Sequence, residues 1–168
     1  MPRIAILFVC LGNICRSPTA EGVVRRIAAA EAPELDLLLD SAGTADYHIG
    51  SPPDHRSCAH AARRGYDLTE LRARQIERAD FERFDLILAM DESNLQALEA
   101  LRPRGARAQL RLFLDFAPGP AGRPVPDPYY GSAPDFEKVL DLTEAAARGL
   151  LAALRSGRGS GLTLRHGG

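Results

Sequence analysis

The fold is decided by residues 4–30, which read IAILFVCLGNICRSPTAEGVVRRIAAA. Residues 4–9 are apolar without interruption, which is typical of a central parallel strand that is covered on both faces. From Pro18 to about Ala30, apolar residues recur at helical spacing, and proline suits the first turn of a helix because no N–H is needed there. The chain therefore begins with a strand, a tight loop and a helix.

Further along the chain, short apolar runs alternate with longer helical segments. Strands are predicted at 35–39, 84–89 and 109–114, and helices at about 54–64, 91–102 and 134–154. This alternation is typical of an α/β fold with a parallel sheet. We expect Ser41-Ala42-Gly43 to form a turn that ends the second strand. We also expect one domain over residues 1–155 and a flexible tail at 156–168, where little is apolar.

The bulk composition of the 168 residues excludes several classes of function. Apolar residues make up 45% and charged residues 26%, the mixture of an ordinary globular protein. A net charge of −1, from 21 basic and 22 acidic residues, argues against a nucleic-acid partner. No apolar stretch approaches the ~20 residues of a membrane span, and residues 4–9 are too short for a signal peptide. A cytoplasmic protein is therefore expected.

The three cysteines, Cys10, Cys15 and Cys58, have the spacing of neither a disulfide framework nor a paired metal motif. We therefore expect no metal and no cofactor. Cys58 lies on a predicted helix and is assigned to packing. A cysteine in such a chain is a candidate nucleophile, and the residues around Cys10 decide between that role and simple burial.

The loop after the first strand, residues 10–17, has the pattern of a cysteine and an arginine separated by five residues. A loop between a strand and a helix N-terminus directs backbone N–H groups inward, and the helix dipole adds positive charge, so the loop can hold a phosphate. Gly12 permits the tight backbone, and Asn13 suits an unusual loop conformation. Arg16 offers a planar fork that matches two phosphate oxygens.

Cys10 lies at the base of this loop. The dipoles that hold phosphate also stabilise a thiolate, which is the nucleophilic form of cysteine. Ser17 can donate a hydrogen bond to that sulfur. A proline- and glycine-rich loop at 117–131 offers an acid, Asp127, because an aspartate before proline is biased towards an extended conformation that projects the carboxyl group. The next two residues, Tyr129 and Tyr130, could wall a slot for an aromatic ring.

Five motifs in order and spacing resemble the low-molecular-weight protein tyrosine phosphatases, over roughly residues 4–154. They are CLGNICRSP at 10–18, SAGT at 41–44, ARQ at 73–75, MDESN at 90–94 and DPYYG at 127–131. The resemblance implies a single three-layer α/β/α domain with a flavodoxin-like sheet of four parallel strands. It implies a site at the carboxyl ends of the strands, a metal-independent reaction through a cysteinyl-phosphate, phosphotyrosine-containing protein substrates and phosphate as product. Nothing demands a dimer, so a monomer is expected.

The resemblance also assigns roles to individual residues. Cys10 corresponds to the nucleophile, Arg16 to the phosphate clamp, and Asp127 to the general acid that later activates water. The phosphate loop comprises Leu11, Gly12, Asn13, Ile14, Cys15 and Ser17. The substrate slot comprises Leu11, Tyr47, Tyr129 and Tyr130, and Cys15 matches a cysteine that forms a reversible disulfide with the nucleophile in several relatives.

One position departs from the family pattern. Leu71 stands where many relatives carry a histidine bonded to the loop asparagine, so Asn13 must find another partner or the loop loses rigidity. His48 and His55 are expected on the solvated surface, with His48 near the substrate entrance.

Three rival functions stay open at this point. An arsenate reductase needs resolving cysteines downstream, and none follows Cys58. A phosphoarginine phosphatase of the same family can carry threonine at the position of Ile14, so the apolar residue favours phosphotyrosine. The third rival is a protein that binds phosphate-bearing partners without turnover, and Leu71 is the only feature that favours it.

Overall fold

Four parallel strands form the sheet of the computed structural model, which describes residues 2–157. In chain order they are β1 (Ile4–Cys10), β2 (Leu37–Gly43), β3 (Leu86–Ala89) and β4 (Gln109–Leu112), and in space the order is β2-β1-β3-β4. The helices are α1 (Arg16–Glu31), α2 (His55–Arg63), α3 (Asp80–Arg83), α4 (Glu92–Leu101) and α5 (Ala133–Ser156). The predicted α/β fold with a four-stranded parallel sheet is confirmed.

Helices cover both faces of the sheet because β1 is apolar on both faces. Its even-numbered residues, such as Ile6 and Phe8, pack in a core with residues of α1 and α5. Its odd-numbered residues, such as Leu7 and Val9, pack in a second core with residues of α3 and α4. Side chains of consecutive strand residues point to opposite faces, so one uninterrupted apolar run produces three layers.

The second strand differs from the prediction. Ser41-Ala42-Gly43 was expected to be a turn, but these residues belong to β2 and pair with β1 as far as the Cys10–Gly43 register. The small and turn-favouring residues are recruited by the parallel ladder of β1, which is a tertiary effect. As a result, β2 extends to the same edge of the sheet at which Cys10 ends β1.

Other boundaries shift by a few residues. The third strand begins at Leu86 rather than Phe84, and the fourth ends at Leu112, after which Phe113–Phe116 form a 3-10 turn whose apolar side chains stay buried. Helix α1 begins at Arg16, before Pro18, and α5 extends through Ser156, with Gly157 in the left-handed conformation at its end. The rest of the predicted tail lies outside the described residues.

Within residues 2–157, no helix combines the length and the apolarity that crossing a membrane requires.

Candidate active site

The loop between β1 and α1 lies at the carboxyl edge of the sheet, between β2 and β3. The side chain of Cys10 is buried at its base, with 2% of its surface exposed. The sulfur lies 3.0 Å from Ser17 Oγ, and the backbone N–H of Asn13 donates to it at 3.3 Å. The sulfur therefore has two polar neighbours, and one of them is a backbone N–H that donates to it.

Asn13 holds the loop through its side-chain amide. Its φ angle is 56°, in the left-handed region that asparagine tolerates better than most residues. Nδ2 donates to Ser17 Oγ at 2.8 Å and to Ser41 Oγ at 3.0 Å, and Oδ1 accepts from the Arg74 backbone N–H at 3.0 Å. Because Ser17 Oγ accepts a hydrogen bond from the Asn13 amide, the Ser17 hydroxyl hydrogen is available to donate to the Cys10 sulfur.

These contacts answer the question that Leu71 raises. Asn13 finds partners in Ser41 and in the backbone of Arg74, without a histidine, and Leu71 packs against the apolar core. The Arg74 backbone is itself fixed, because its side chain pairs with Asp40 and with the fully buried Asp80. The loop is therefore braced from two sides.

Arg16 is buried beside the loop, with 4% of its surface exposed. Nη1 donates to Asp91 Oδ2 at 2.6 Å and to the Val125 carbonyl at 3.2 Å, and Nη2 lies 3.6 Å from Asp127 Oδ2. Burial lowers the pKa of Arg16, but the nearby Cys10 and the carboxylates outweigh it, so the pKa lies above its ordinary value. The guanidinium stays charged, and its hydrogen bonds to Asp91 and to the Val125 carbonyl fix its orientation.

Cys15 has a different environment from Cys10. It is 5% exposed, and burial raises the pKa of its thiol to about 12, although a hydrogen bond with Ser57 works in the opposite direction. The structure therefore presents Cys15 as a protonated thiol at neutral pH.

A cavity of about 350 Å³ opens above the loop. Its lining includes every predicted slot residue, namely Leu11, Tyr47, Tyr129 and Tyr130, together with Gly12, Ile14 and His48. A side chain at Gly12 would meet the His48 ring at 3.1 Å, so this glycine allows a close approach at the entrance. The cavity therefore brings Cys10, Arg16 and Asp127 together under a rim of aromatic side chains.

The acid-bearing loop is more exposed than the phosphate loop. The side chain of Asp127 is 45% exposed, and its Oδ1 accepts from the Tyr129 backbone N–H at 3.1 Å. Tyr130 is almost fully exposed and Tyr129 partly so, with their rings in edge contact at 4.9 Å. Among residues 2–157, no group of three or more histidine, cysteine, aspartate or glutamate side chains is arranged to hold a metal ion.

A family model described as "Low molecular weight phosphotyrosine protein phosphatase" matches residues 5–159 of this chain. The chain belongs to this family.

Curated relatives agree with the family match. A low molecular weight protein-tyrosine-phosphatase of Streptomyces coelicolor is 47% identical over 156 residues, covering 89% of this chain and 93% of the relative. A putative low molecular weight protein-tyrosine-phosphatase of Synechocystis is 43% identical over 150 residues, covering 89% of this chain and 95% of the relative. Such enzymes are hydrolases, and the predicted protein-tyrosine-phosphatase class is confirmed.

A solved structure extends the agreement to the fold. The crystal structure of a protein tyrosine phosphatase from Entamoeba histolytica, with Hepes in its active site, superposes with a TM-score of 0.86. It is 37% identical, and the match covers 92% of this chain and 98% of that one. The fold is therefore that of a low molecular weight phosphatase.

Two residues of this phosphatase site, Asp91 and Ser41, were not assigned from the sequence. Asp91 binds Arg16 through one oxygen while its other oxygen accepts from the Asn94 backbone N–H at the start of α4. Ser41 reaches Asn13 from the neighbouring strand. Both positions lie in family motifs, Asp91 in the segment at 90–94 and Ser41 in the segment at 41–44, but their partners lie far away in sequence.

Proposed function

We propose that this phosphatase hydrolyses phosphotyrosine in proteins, and simple aryl phosphates, through a cysteinyl-phosphate on Cys10. The observation that carries the proposal is that Cys10, Arg16 and Asp127 line one cavity. Ser17 and the Asn13 N–H contact the sulfur, and Arg16 and Asp127 lie beside each other at 3.6 Å. A nucleophile, an anion clamp and an acid around one cavity suit phosphoryl transfer, which depends mainly on positioning and charge stabilisation.

In the first step, the loop N–H groups and the Arg16 guanidinium bind the non-bridging oxygens of the substrate phosphate. The Cys10 thiolate attacks phosphorus, and a sulfur–phosphorus bond forms as the bond to the aryl oxygen breaks. The departing oxygen takes the proton of the Asp127 carboxyl group, so the alcohol leaves neutral. Tyr47 and Tyr129, on the lining of the cavity, would contact the aromatic ring of the substrate.

In the second step, Asp127 is a carboxylate and accepts a proton from water. The water oxygen attacks phosphorus, the sulfur–phosphorus bond breaks, and its electron pair returns to Cys10. The hydrogen bond from Ser17 stabilises the returning thiolate as a leaving group. Inorganic phosphate is released, and no step requires a metal ion.

The proposed substrates and setting follow from this chemistry. An aromatic rim and the apolar Ile14 beneath it favour an aryl phosphate. A working thiolate needs a reducing compartment, so we propose action in the cytoplasm, and we propose that the protein acts as a monomer. Sedimentation of the purified protein tests the oligomeric state, and cell fractionation tests the compartment.

The test is steady-state hydrolysis of p-nitrophenyl phosphate and of a phosphotyrosine peptide across pH, with a chelator present and under reducing conditions. Cys10→Ser should abolish turnover and still bind phosphate, whereas Asp127→Ala should slow turnover by ~10²–10⁴, the usual range for acid–base assistance. Steady turnover by Cys10→Ser would overturn the nucleophile assignment. Activity on phosphoarginine in place of phosphotyrosine would overturn the substrate class, and vanadate binding without turnover would indicate a binding protein.

A further inference from the structure

The loop of residues 117–132, called the acid loop below, needs an anchor if Asp127 is to lie over the phosphate loop. On the upstream side, the Val125 N–H donates to the Met90 carbonyl at 2.8 Å, which ties the loop to the end of β3. Asp127 itself is 45% exposed and bonds the Tyr129 N–H within its own loop. At the downstream end, the Ser132 N–H donates to Asp135 in the first turn of α5. Between the two ends, the position of Asp127 depends on its ion pair with Arg16 and on what holds Tyr129.

Arg56, in the first turn of α2, contacts Tyr129 in two ways. Its Nη2 donates to the Tyr129 carbonyl oxygen at 2.9 Å, and its guanidinium carbon lies 5.6 Å from the centre of the Tyr129 ring. The same guanidinium lies 4.8 Å from the centre of the Phe136 ring, near the start of α5. A planar cation stacked on a ring is held in one orientation, because cation–π attraction and hydrogen bonding act together.

Asp54 fixes the other side of the guanidinium. Arg56 Nε and Nη2 donate to the two carboxylate oxygens of Asp54 at 3.2 and 3.0 Å. Burial raises the pKa of Asp54, but the hydrogen bonds from Arg56 and from the α2 backbone outweigh it, so the pKa lies below its ordinary value. The Asp54 backbone N–H donates to the Ile14 carbonyl at 2.8 Å. A continuous set of contacts thus runs from the phosphate loop to the acid loop.

We propose that Arg56 is a positioning residue for Asp127, acting through the Tyr129 backbone. Tyr129 receives a hydrogen bond on its carbonyl from Arg56 and donates its N–H to Asp127, so both polar groups of one peptide residue are committed to this arrangement. The inference rests on the proposed function of Asp127 as general acid. Arg56 does not line the cavity and does not touch the reacting atoms.

Two substitutions separate charge from geometry. Arg56→Gln removes the charge and the second donor group, so the Tyr129 carbonyl bonds water instead and Tyr129 loses its contact with α2. Arg56→Lys keeps the charge, but a single ammonium cannot bind Asp54 by two parallel bonds and the Tyr129 carbonyl while stacking on both rings. We expect Arg56→Lys to be intermediate. Arg148→Gln is the matched control, because Arg148 forms an exposed ion pair with Glu31 away from the cavity.

The experiment compares kcat/KM for p-nitrophenyl phosphate and for phenyl phosphate across pH. For each substrate, kcat/KM reports the steps up to formation of the cysteinyl-phosphate, and the acid acts in these steps. Phenol is the more basic leaving group and depends more on protonation. We expect Arg56→Gln to lower kcat/KM roughly tenfold for phenyl phosphate, below the ~10²–10⁴ expected for removing an acid altogether, and by much less for p-nitrophenyl phosphate.

A purely structural role for Arg56 predicts a different pattern. Equal losses on both substrates, or a change in KM alone, would overturn the proposal. In an Asp127→Ala background, Arg56→Gln should add little, since the group that it positions is gone; a full additional tenfold loss would also overturn it. If Asp127→Ala itself shows no dependence on the leaving group, the general-acid assignment fails first, and the two failures are thereby distinguished. Thermal unfolding of each variant confirms that it is folded.

Discussion

The phosphate loop and the acid loop contribute to one cavity but are built in different ways. Cys10, Asn13, Arg16 and Ser17 are each at most 4% exposed. Their side chains bond one another, β2 or the Arg74 backbone, except that of Arg16, which bonds Asp91 and the Val125 carbonyl. Asp127, in contrast, is nearly half exposed, and its contacts are an ion pair with Arg16 and a hydrogen bond from one backbone N–H of its own loop. The difference shows that the phosphate loop is held by buried side-chain hydrogen bonds, whereas Asp127, the proposed general acid, is nearly half exposed and is supported by few contacts.

Substitution of Asn13 should produce the largest contrast between the two loops. Asn13→Ala removes three hydrogen bonds, each worth ~1 kcal/mol net, and places an alanine at a φ of 56°. We expect a loss of roughly 2–4 kcal/mol in the free energy of unfolding, measured by denaturant titration, with a fall in kcat/KM. Asn13→Gly should recover about 1 kcal/mol, because glycine tolerates the left-handed backbone.

The matched variant in the acid loop is Tyr130→Ala. This ring is 95% exposed, so the free energy of unfolding should change by no more than about 0.5 kcal/mol. If Asn13→Ala and Tyr130→Ala were equally destabilising, or if Asn13→Gly matched Asn13→Ala, the proposed difference between the loops would be wrong.

The phosphate loop contains two cysteines, Cys10 and Cys15, whose response to oxidation can be measured. We propose that peroxide converts Cys10 to a sulfenic acid, with which Cys15 condenses to a disulfide, releasing water. Burial raises the pKa of Cys15 to about 12, so its thiolate is scarce at neutral pH and condensation should accelerate as pH rises. The measurement is the fraction of activity that dithiothreitol restores after peroxide treatment. In Cys15→Ser, the fraction of activity that dithiothreitol restores should be at least twofold smaller than in wild type. An unchanged fraction would exclude Cys15 as the partner of Cys10.

The smallest effect is expected at Asp54, which links the two loops through Ile14 and Arg56. Because the pKa of Asp54 is below its ordinary value when folded, its ionised form stabilises the protein above the unfolded pKa of about 3.9, and this contribution is lost as pH falls through the folded pKa. Asp54→Asn keeps a good helix cap and removes the charge, so it should destabilise the protein by about 0.5–1 kcal/mol at pH 7.

This difference between Asp54→Asn and wild type should shrink below about pH 4. Asp36→Asn, which breaks an exposed pair with Arg3, is the control and should leave stability within about 0.5 kcal/mol. A difference for Asp54→Asn that stays constant down to pH 3 would show that the charge is not the source of the stabilisation.

Much of the site was predictable because its chemistry is contiguous in the sequence. The candidate phosphate loop follows from one strand–loop–helix segment, and the candidate acid, Asp127, from one dipeptide in a long loop. The brace of Asn13 was not predictable, since Ser41 reaches it only after β2 extends past the expected turn. The role of Arg56 was not predictable either: Asp54 lies only two residues before it, but Tyr129 and Phe136 lie on two distant segments that only the packed fold brings to it.

The order of synthesis adds a consequence to the burial of Arg16. The ribosome synthesises the Cys10 loop early. Asp91, which binds Arg16, lies 75 residues after Arg16, and Val125 and Asp127 come later still. Because chains emerge from their N-terminus, a growing chain carries the sulfur well before it carries the clamp in its working orientation. Phosphatase activity should thus appear only when nearly the whole domain has emerged, so that incomplete chains remain unable to dephosphorylate their neighbours.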